Sequence, residues 1–211
     1  AGVHPLDQGV IEFDGRPVAI TSPATSRALG IATVYQDLAL CDNLDVVGNL
    51  FLGCEKGRVT LDEEGMERHT WGLLNQLSAK LPSVRIPVAS LSGGQRQTVA
   101  IARSLIGEPS LVMLDEPTAA LGVAQTAEVL NLIERLRDRG HAVLLITHNM
   151  ADVQAVADRA VVLRLGRNNG DFPVKETTHE EIVAAITGAS DSVVTRRAAA
   201  VAARKSMEGS R

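Results

Sequence analysis

Apolar residues along this chain fall into two alternating periods, short runs that suit strands and i, i+3, i+4 patterns that suit helices. Residues 10–13 and 17–20 flank Asp14-Gly15, a dipeptide suited to a two-residue turn, and predict a hairpin. Ser22-Pro23 supplies a cap and a first-turn proline for a short helix through Leu29, which Gly30 stops. Residues 31–35 then return as a strand. From Asp37 to about Ser90 the spacing turns helical and loop-rich, through Val46, Val47, Leu50 and Phe51 and then Leu73, Leu74, Leu77 and Leu81. Val99, Ala102, Leu105 and Ile106 mark one face of a further helix.

Two continuous apolar runs read as strands, 111–114, which suits burial on both faces of a parallel sheet, and 142–146, fully apolar as well. Between them a loop at 117–122 precedes an amphipathic helix on Val129, Leu132, Ile133 and Leu136, which Gly140 ends. Strand, helix and strand at these spacings predict βαβ units. Asn149 caps a helix whose apolar face includes Val153 and Val156. Residues 161–165, a turn at 166–170 and residues 172–174 predict a closing hairpin, and Thr178 with Glu181 forms a capping box for a helix to Thr187. The Ala-rich stretch from Ala189, with Arg196, Arg197, Arg204 and Lys205, reads as a frayed tail. The fold class is therefore α/β, a mostly parallel sheet with an inserted helical segment.

Composition narrows the function. At 211 residues and 45% hydrophobic the chain can bury a sizeable core, and a net charge of −4 with 2% aromatics offers neither a basic footprint nor stacking platforms for nucleic acid. Cys41 and Cys54 lack zinc spacing and read as thiols rather than ligands.

The chemistry concentrates between Leu91 and Glu116. Ser92, Gly93 and Gly94 stand at a helix start, where backbone N–H groups and the helix dipole favour an anion. Asp115 and Glu116 emerge at the carboxyl end of an apolar strand, where open α/β sheets bind ligands and where two charges without a cation are expensive. His148 stands at the end of the next strand, and Gln36 follows the strand at 31–35.

Leu91-Ser92-Gly93-Gly94-Gln95 resembles the signature motif of ABC-type ATPases, and residues 111–116 resemble their Walker B strand with its glutamate. Val34-Tyr35-Gln36-Asp37 resembles the Q-loop, and Ile146-Thr147-His148-Asn149 the switch histidine. Four motifs in order cover most of the chain. The resemblance implies a P-loop NTPase (RecA-like) fold with core segments 1–36 and 98–188, a helical subdomain at 37–97 and a tail at 189–211. It implies ATP and Mg²⁺ as cofactors, with Asp115 and Gln36 at the metal, Glu116 and His148 catalytic, and Gln36, Ser92, Gly93, Gly94 and Gln95 at the nucleotide. The signature residues would act in trans, in a head-to-tail dimer of two copies. Transmembrane permease subunits, and a sugar-binding protein indirectly, would be partners at the cytoplasmic face of the membrane, with no nucleic acid. Stretches such as AGVHPLDQG and LRLGRNNG resemble the monosaccharide branch of carbohydrate importers, so sugar import is the expected function.

Two departures stand out. Gly122 occupies a position where the family more often has aspartate, and residues 1–211 contain no Gly-Lys dipeptide and hence no Walker A loop. The expectation is an N-terminally truncated ATPase whose sheet lacks a parallel strand beside residues 111–114. Loss of three charge-assisted phosphate contacts weakens nucleotide binding by roughly 4–9 kcal/mol. Residues 1–211 alone are then expected neither to bind ATP tightly nor to hydrolyse it, which leaves an interaction subunit or a gene fragment as the alternative. A DNA-repair or ribosome-associated ATPase finds no support, because there are no heptad arms and no basic stripe.

Overall fold

A computed structural model describes residues 1–57 and 59–189. The chain divides into two compact units, Ala1–His148 and a second that begins at Asn149. The tail expectation falls, from residue 190 onward, outside the described residues.

In the first unit, β1 (Ile11–Phe13) and β2 (Arg16–Val18) pair antiparallel across Asp14-Gly15. Both turn residues have positive φ, at 51° and 69°, the backbone that a two-residue hairpin turn with the right-handed strand twist requires. Helix α1 (Pro23–Ala28) starts where the Ser22 hydroxyl accepts from the Thr25 N–H at 3.1 Å, and Gly30 ends it at φ 81°. The chain then enters β3 (Ile31–Val34).

Residues 37–90 hold α2 (Val46–Phe51), α3 (Glu63–Gln76) and a 3-10 turn at Val88–Ser90. Their interior is apolar and nearly dry: Val46, Leu50, Phe51, Leu74, Leu77 and Val88 are all at most 1% exposed. One amide is buried among them. Asn49, fully buried, accepts from the Cys41 N–H at 2.7 Å and donates to the carbonyls of Cys41, Leu44 and Asp45. Its side-chain bonds thus hold the loop before α2, while Asp45 caps the helix by accepting from the Gly48 N–H at 2.6 Å.

Helix α4 (Gly93–Ser104) leads into β4 (Leu111–Asp115), α5 (Val123–Asp138) and β5 (Ala142–Ile146). Among the described residues β3, β4 and β5 form one sheet in that order, all parallel, with Val34 beside Leu114 and Asp115 beside Ile146. This is the α/β architecture that the apolar runs predict.

The expectation that residues 111–114 are buried on both faces is corrected. In β4, Val112 and Leu114 are fully buried whereas Leu111 and Met113 are half-buried, and in β5, Leu144 and Ile146 are exposed. The register puts Val112, Leu114, Val143 and Leu145 on one face, which is covered better than the other. An apolar run therefore marks a strand without fixing how much of it is covered. The expected gap beside residues 111–114 is corrected too, since β4 has a parallel neighbour on each side and the apolar edge belongs to β5.

In the second unit α6 (Met150–Val156) is capped by Asn149, whose side-chain oxygen accepts from the Ala151 N–H, and its buried residue is Asp152. Strands β6 (Arg159–Arg164) and β7 (Arg167–Pro173) pair antiparallel with a bulge at Val162/Leu163. The turn falls at Leu165-Gly166, where both residues have positive φ, rather than at residues 166–170. Arg159 grips Asp171 across the pair at 2.6 and 2.5 Å, which holds the Asp171 carboxyl below its ordinary range. Helix α7 (His179–Thr187) carries the expected capping box from Thr178 and Glu181, and its Ile182 packs with Val162 and Ala185.

Asn49→Ala is expected to destabilise the chain by about 2–4 kcal/mol, because it strands several buried backbone groups at once. A drop in the urea midpoint at unchanged slope checks this. At the β5 edge, Leu144→Lys is expected to leave stability within about 0.5 kcal/mol and to reduce self-association, seen as lower light scattering at equal concentration.

Candidate active site

Parallel pairing puts the ends of β3, β4 and β5 along one edge of the sheet, and the polar candidates are delivered there in a row. Gln36 lies two residues beyond β3 and is exposed, Asp115 is the last residue of β4 and is half-buried, Glu116 follows it, and His148 lies two residues beyond β5.

Glu116 leaves the strand in an unusual way. Its N–H still donates to the Ile146 carbonyl at 2.8 Å, extending the β4–β5 ladder, but its φ is 47°. A left-handed conformation costs a non-glycine residue about 1–2 kcal/mol and persists where the surroundings hold it. Here the next turn holds it, with the Ala119 N–H donating to the Glu116 carbonyl at 3.1 Å. The side chain is thereby brought to His148, whose Nδ1 lies 2.7 Å from Glu116 Oε1. An ionised carboxylate can only accept, so Nδ1 carries the proton and Nε2 is the nitrogen left for another partner. The imidazole is 85% exposed while the carboxylate is 19% exposed. The pair therefore combines a sheltered acid with a ring that projects outward.

Ser92, Gly93, Gly94 and Gln95 sit at the start of α4. The Ser92 hydroxyl accepts from the Gln95 N–H at 3.3 Å, and the Gln95 carbonyl oxygen accepts from the Ser92 N–H at 3.0 Å. This capping box uses two of the donors that helix-start reasoning assigns to an anion. Gln95 also donates to the Lys80 carbonyl at 3.4 Å. The glycines have a packing duty that the sequence does not announce. A Cβ on Gly94 would meet Gln125 Cβ at 3.1 Å, and one on Gly93 would meet Leu121 Cδ2 at 3.1 Å. Small residues let the starts of α4 and α5 approach closely. Ser92 and Gln95 bond to each other and Gln95 to Lys80, while the Ser92 carbonyl accepts from the Arg96 N–H at 2.9 Å and the Gly94 carbonyl from the Thr98 hydroxyl at 2.9 Å.

The structure thus joins Glu116 to His148, lines Gln36 and Asp115 along the same edge, and seats the signature residues on the neighbouring helix. It adds Leu121, Gln125, Arg103 and Asn49, none of which stands in a recognisable chemical pattern. Gln125 lies three residues after Gly122 and accepts from its N–H at 3.4 Å, a capping offset that could have drawn notice.

A cleft of about 620 Å³ opens beside Phe13, Asp14, Arg16, Leu111 and Ala142. Leu111 and Ala142 are the first residues of β4 and β5, so this cleft lies at the opposite end of the strands from the acid pair. Among the described residues no group of three or more His, Cys, Asp and Glu side chains forms a metal cage. Asp115 and the Gln36 amide suit Mg²⁺ in another way, as one or two hard oxygen ligands to an ion that keeps waters and phosphate oxygens.

Comparison with known proteins agrees with this arrangement. The ABC transporter family profile matches residues 1–119. The xylose/arabinose import ATP-binding protein XylG of Sulfolobus acidocaldarius is 40% identical over 89% of this chain and 75% of its own length. The fructose import ATP-binding protein FrcA of Rhizobium meliloti is 41% identical over 90% of this chain and 77% of its own. Among solved structures, cbiO1 from Clostridium perfringens, part of the cbiONQ ABC transporter complex, superposes with a TM-score of 0.71 at 27% identity, over 86% of this chain and 72% of that one. The ADP conformation of an ATP-binding cassette of an ABC transporter has a TM-score of 0.73 over 88% of this chain and 76% of its own; at 23% identity it speaks for the fold alone. The parallel sheet, the ordered motifs and these relatives together identify the chain as a member of the ABC transporter ATPase family.

Proposed function

We propose that this chain is the ATP-binding subunit of an ABC importer that couples ATP hydrolysis to uptake of a sugar, a monosaccharide by its nearest resemblance. The observation that carries the catalytic reading is the Glu116–His148 contact at 2.7 Å, on the edge of the sheet where Asp115 also emerges. The identity to sugar-import ATP-binding proteins supports the transport reading.

Each residue has a role suited to its chemistry. Asp115 would hold Mg²⁺ through a water, and Gln36 would offer an amide able to touch the ion or its water and swing away. Bound Mg²⁺ and ATP supply the electrophilic phosphoryl group. Glu116, sheltered and near the end of the strand, orients the attacking water and takes its proton. His148 keeps Glu116 in place through Nδ1 and offers Nε2 toward the terminal phosphate. Catalysis of this kind rests on positioning and charge rather than on a covalent intermediate.

Ser92, Gly93, Gly94 and Gln95 serve the site of a second copy, docked head to tail. The helical segment 37–97 transmits closure to membrane permease subunits, and a sugar-binding protein delivers the cargo. Among the described residues no helix is long and apolar enough to cross a membrane, which fits a subunit held peripherally on the cytoplasmic face by its permease.

In the assembled transporter containing this chain, Glu116→Gln is expected to lower kcat for ATP by about 10²–10³-fold with KM changed only a few-fold, since the lost base acts in the transition state. His148→Ala is expected to lower kcat by about 10²-fold, the lower end of what positioned acid–base groups contribute. Uptake of labelled monosaccharide should fall in parallel. An assembled transporter with no ATP turnover, or turnover indifferent to Glu116→Gln, would overturn the proposal in favour of a purely interacting subunit.

A further inference from the structure

The segment after Gln36 is held by side chains that lie outside the four motifs. Arg103, in the last turn of α4, donates through Nη2 to the Leu38 carbonyl at 2.7 Å and through Nη1 to the Ala39 carbonyl at 2.8 Å. Consecutive carbonyls of an extended chain point to opposite sides, so a bidentate grip needs a local twist. The twist is present: Ala39 is left-handed, with φ 47°, and its N–H donates to the Asp37 carboxylate at 3.1 Å. Burial pushes the Arg103 guanidinium's pKa down, and both its hydrogen bonds to the strap go to backbone carbonyls.

A second arginine continues the pattern. Arg96 precedes Arg103 by seven positions, so the two share a face of α4 about 10 Å apart. Arg96 lies 3.7 Å from the Asp42 carboxylate and donates at 2.8 Å to the Ala89 carbonyl, and the Ala89 N–H donates to the Asp42 carbonyl at 3.1 Å. Residues 38–42 span at most about 14 Å when extended, enough to run along the helix between the two arginines. Beyond them Asn49 takes over, holding Cys41, Leu44 and Asp45.

We propose that Arg103, supported by Arg96, is a positioning residue that latches the segment carrying Gln36 onto the signature helix, so that Gln36 and Ser92–Gln95 move as one body. This rests on the ATPase reading of the site. The latch explains why a half-buried cation is spent on two backbone carbonyls. A half-buried charge of this kind is weak as a source of stability, but its planar fork fixes two adjacent carbonyls at once, which a lysine ammonium cannot do. A ligand-driven shift of Gln36 then reaches the start of α4 through the strap and not only through the sheet.

Two measurements test this. On the 211-residue chain itself, hydrogen exchange of the amides at 38–42 in Arg103→Met should rise at least about tenfold while exchange in β3 is unchanged, the signature of local release rather than unfolding. Exchange unchanged at 38–42 would overturn the latch. If Arg103→Met does not fold, Arg103→Gln, which keeps one amide donor, takes its place in both measurements. In the assembled transporter, Arg103→Met should lower kcat about tenfold with KM for ATP within about twofold, and should cost less than about twofold more in a Gln36→Ala background. Equal losses in both backgrounds would mean a general structural role and would overturn the inference. A parent transporter without ATP turnover would count against the proposed function instead, leaving the exchange measurement to decide the latch.

Discussion

Parallel pairing of β4 between β3 and β5 is the constraint on which everything else hangs. In a parallel sheet all strands finish at the same edge, so three sequence-distant polar residues arrive side by side without any loop having to reach for them. The ladder runs one residue past the strand, through the Glu116 N–H and the Ile146 carbonyl at 2.8 Å, and this last bond is what sets the acid at a defined height beside His148. If that bond were absent, Glu116 would sit at the head of a free loop. With it, the left-handed turn that follows throws the carboxylate sideways toward the histidine instead of outward.

Helix α4 is the second organising element, because it packs against α2, α3, α5 and β3 at once. Val99, Ala100, Ile101 and Ala102 bury the helix on all sides at this turn, which gives it a rigid seat. Its start is kept in register by close approach to α5, where any side chain at Gly94 would meet Gln125. Absence of side chains at these glycines permits the helix contact.

Much of this was legible in the residues. Apolar runs locate β4 and β5, caps at Ser22, Asn149 and Thr178 and the Ser92-Gly93-Gly94 turn locate helix starts, and the residue pattern alone puts the acid pair, His148 and Gln36 at strand ends. What was not legible depends on partners far away in sequence. The burial of Leu144 and Ile146 is set by what covers the sheet, which a run of apolar letters does not record. The left-handed Glu116 carries no glycine or asparagine to advertise it. Arg103 looks like an ordinary basic residue in the last turn of a helix, a position favoured by the dipole alone, until its carbonyl partners 65 positions away are seen.

Those partners being backbone has a mechanical consequence. A salt bridge to a side chain in the strap would hold one residue and leave the main chain free to pivot about it. Arg103 grips the peptide units of two successive residues, and Asn49 grips those of three more, so the main chain from Leu38 to Asp45 is held at closely spaced points by side chains from α2 and α4. A segment clamped through its backbone tolerates change in its own side chains and still moves as a lever. Stiffness of that kind is what a device needs if an event at one amide, Gln36, is to be felt at the start of a helix and in the helical segment beyond it.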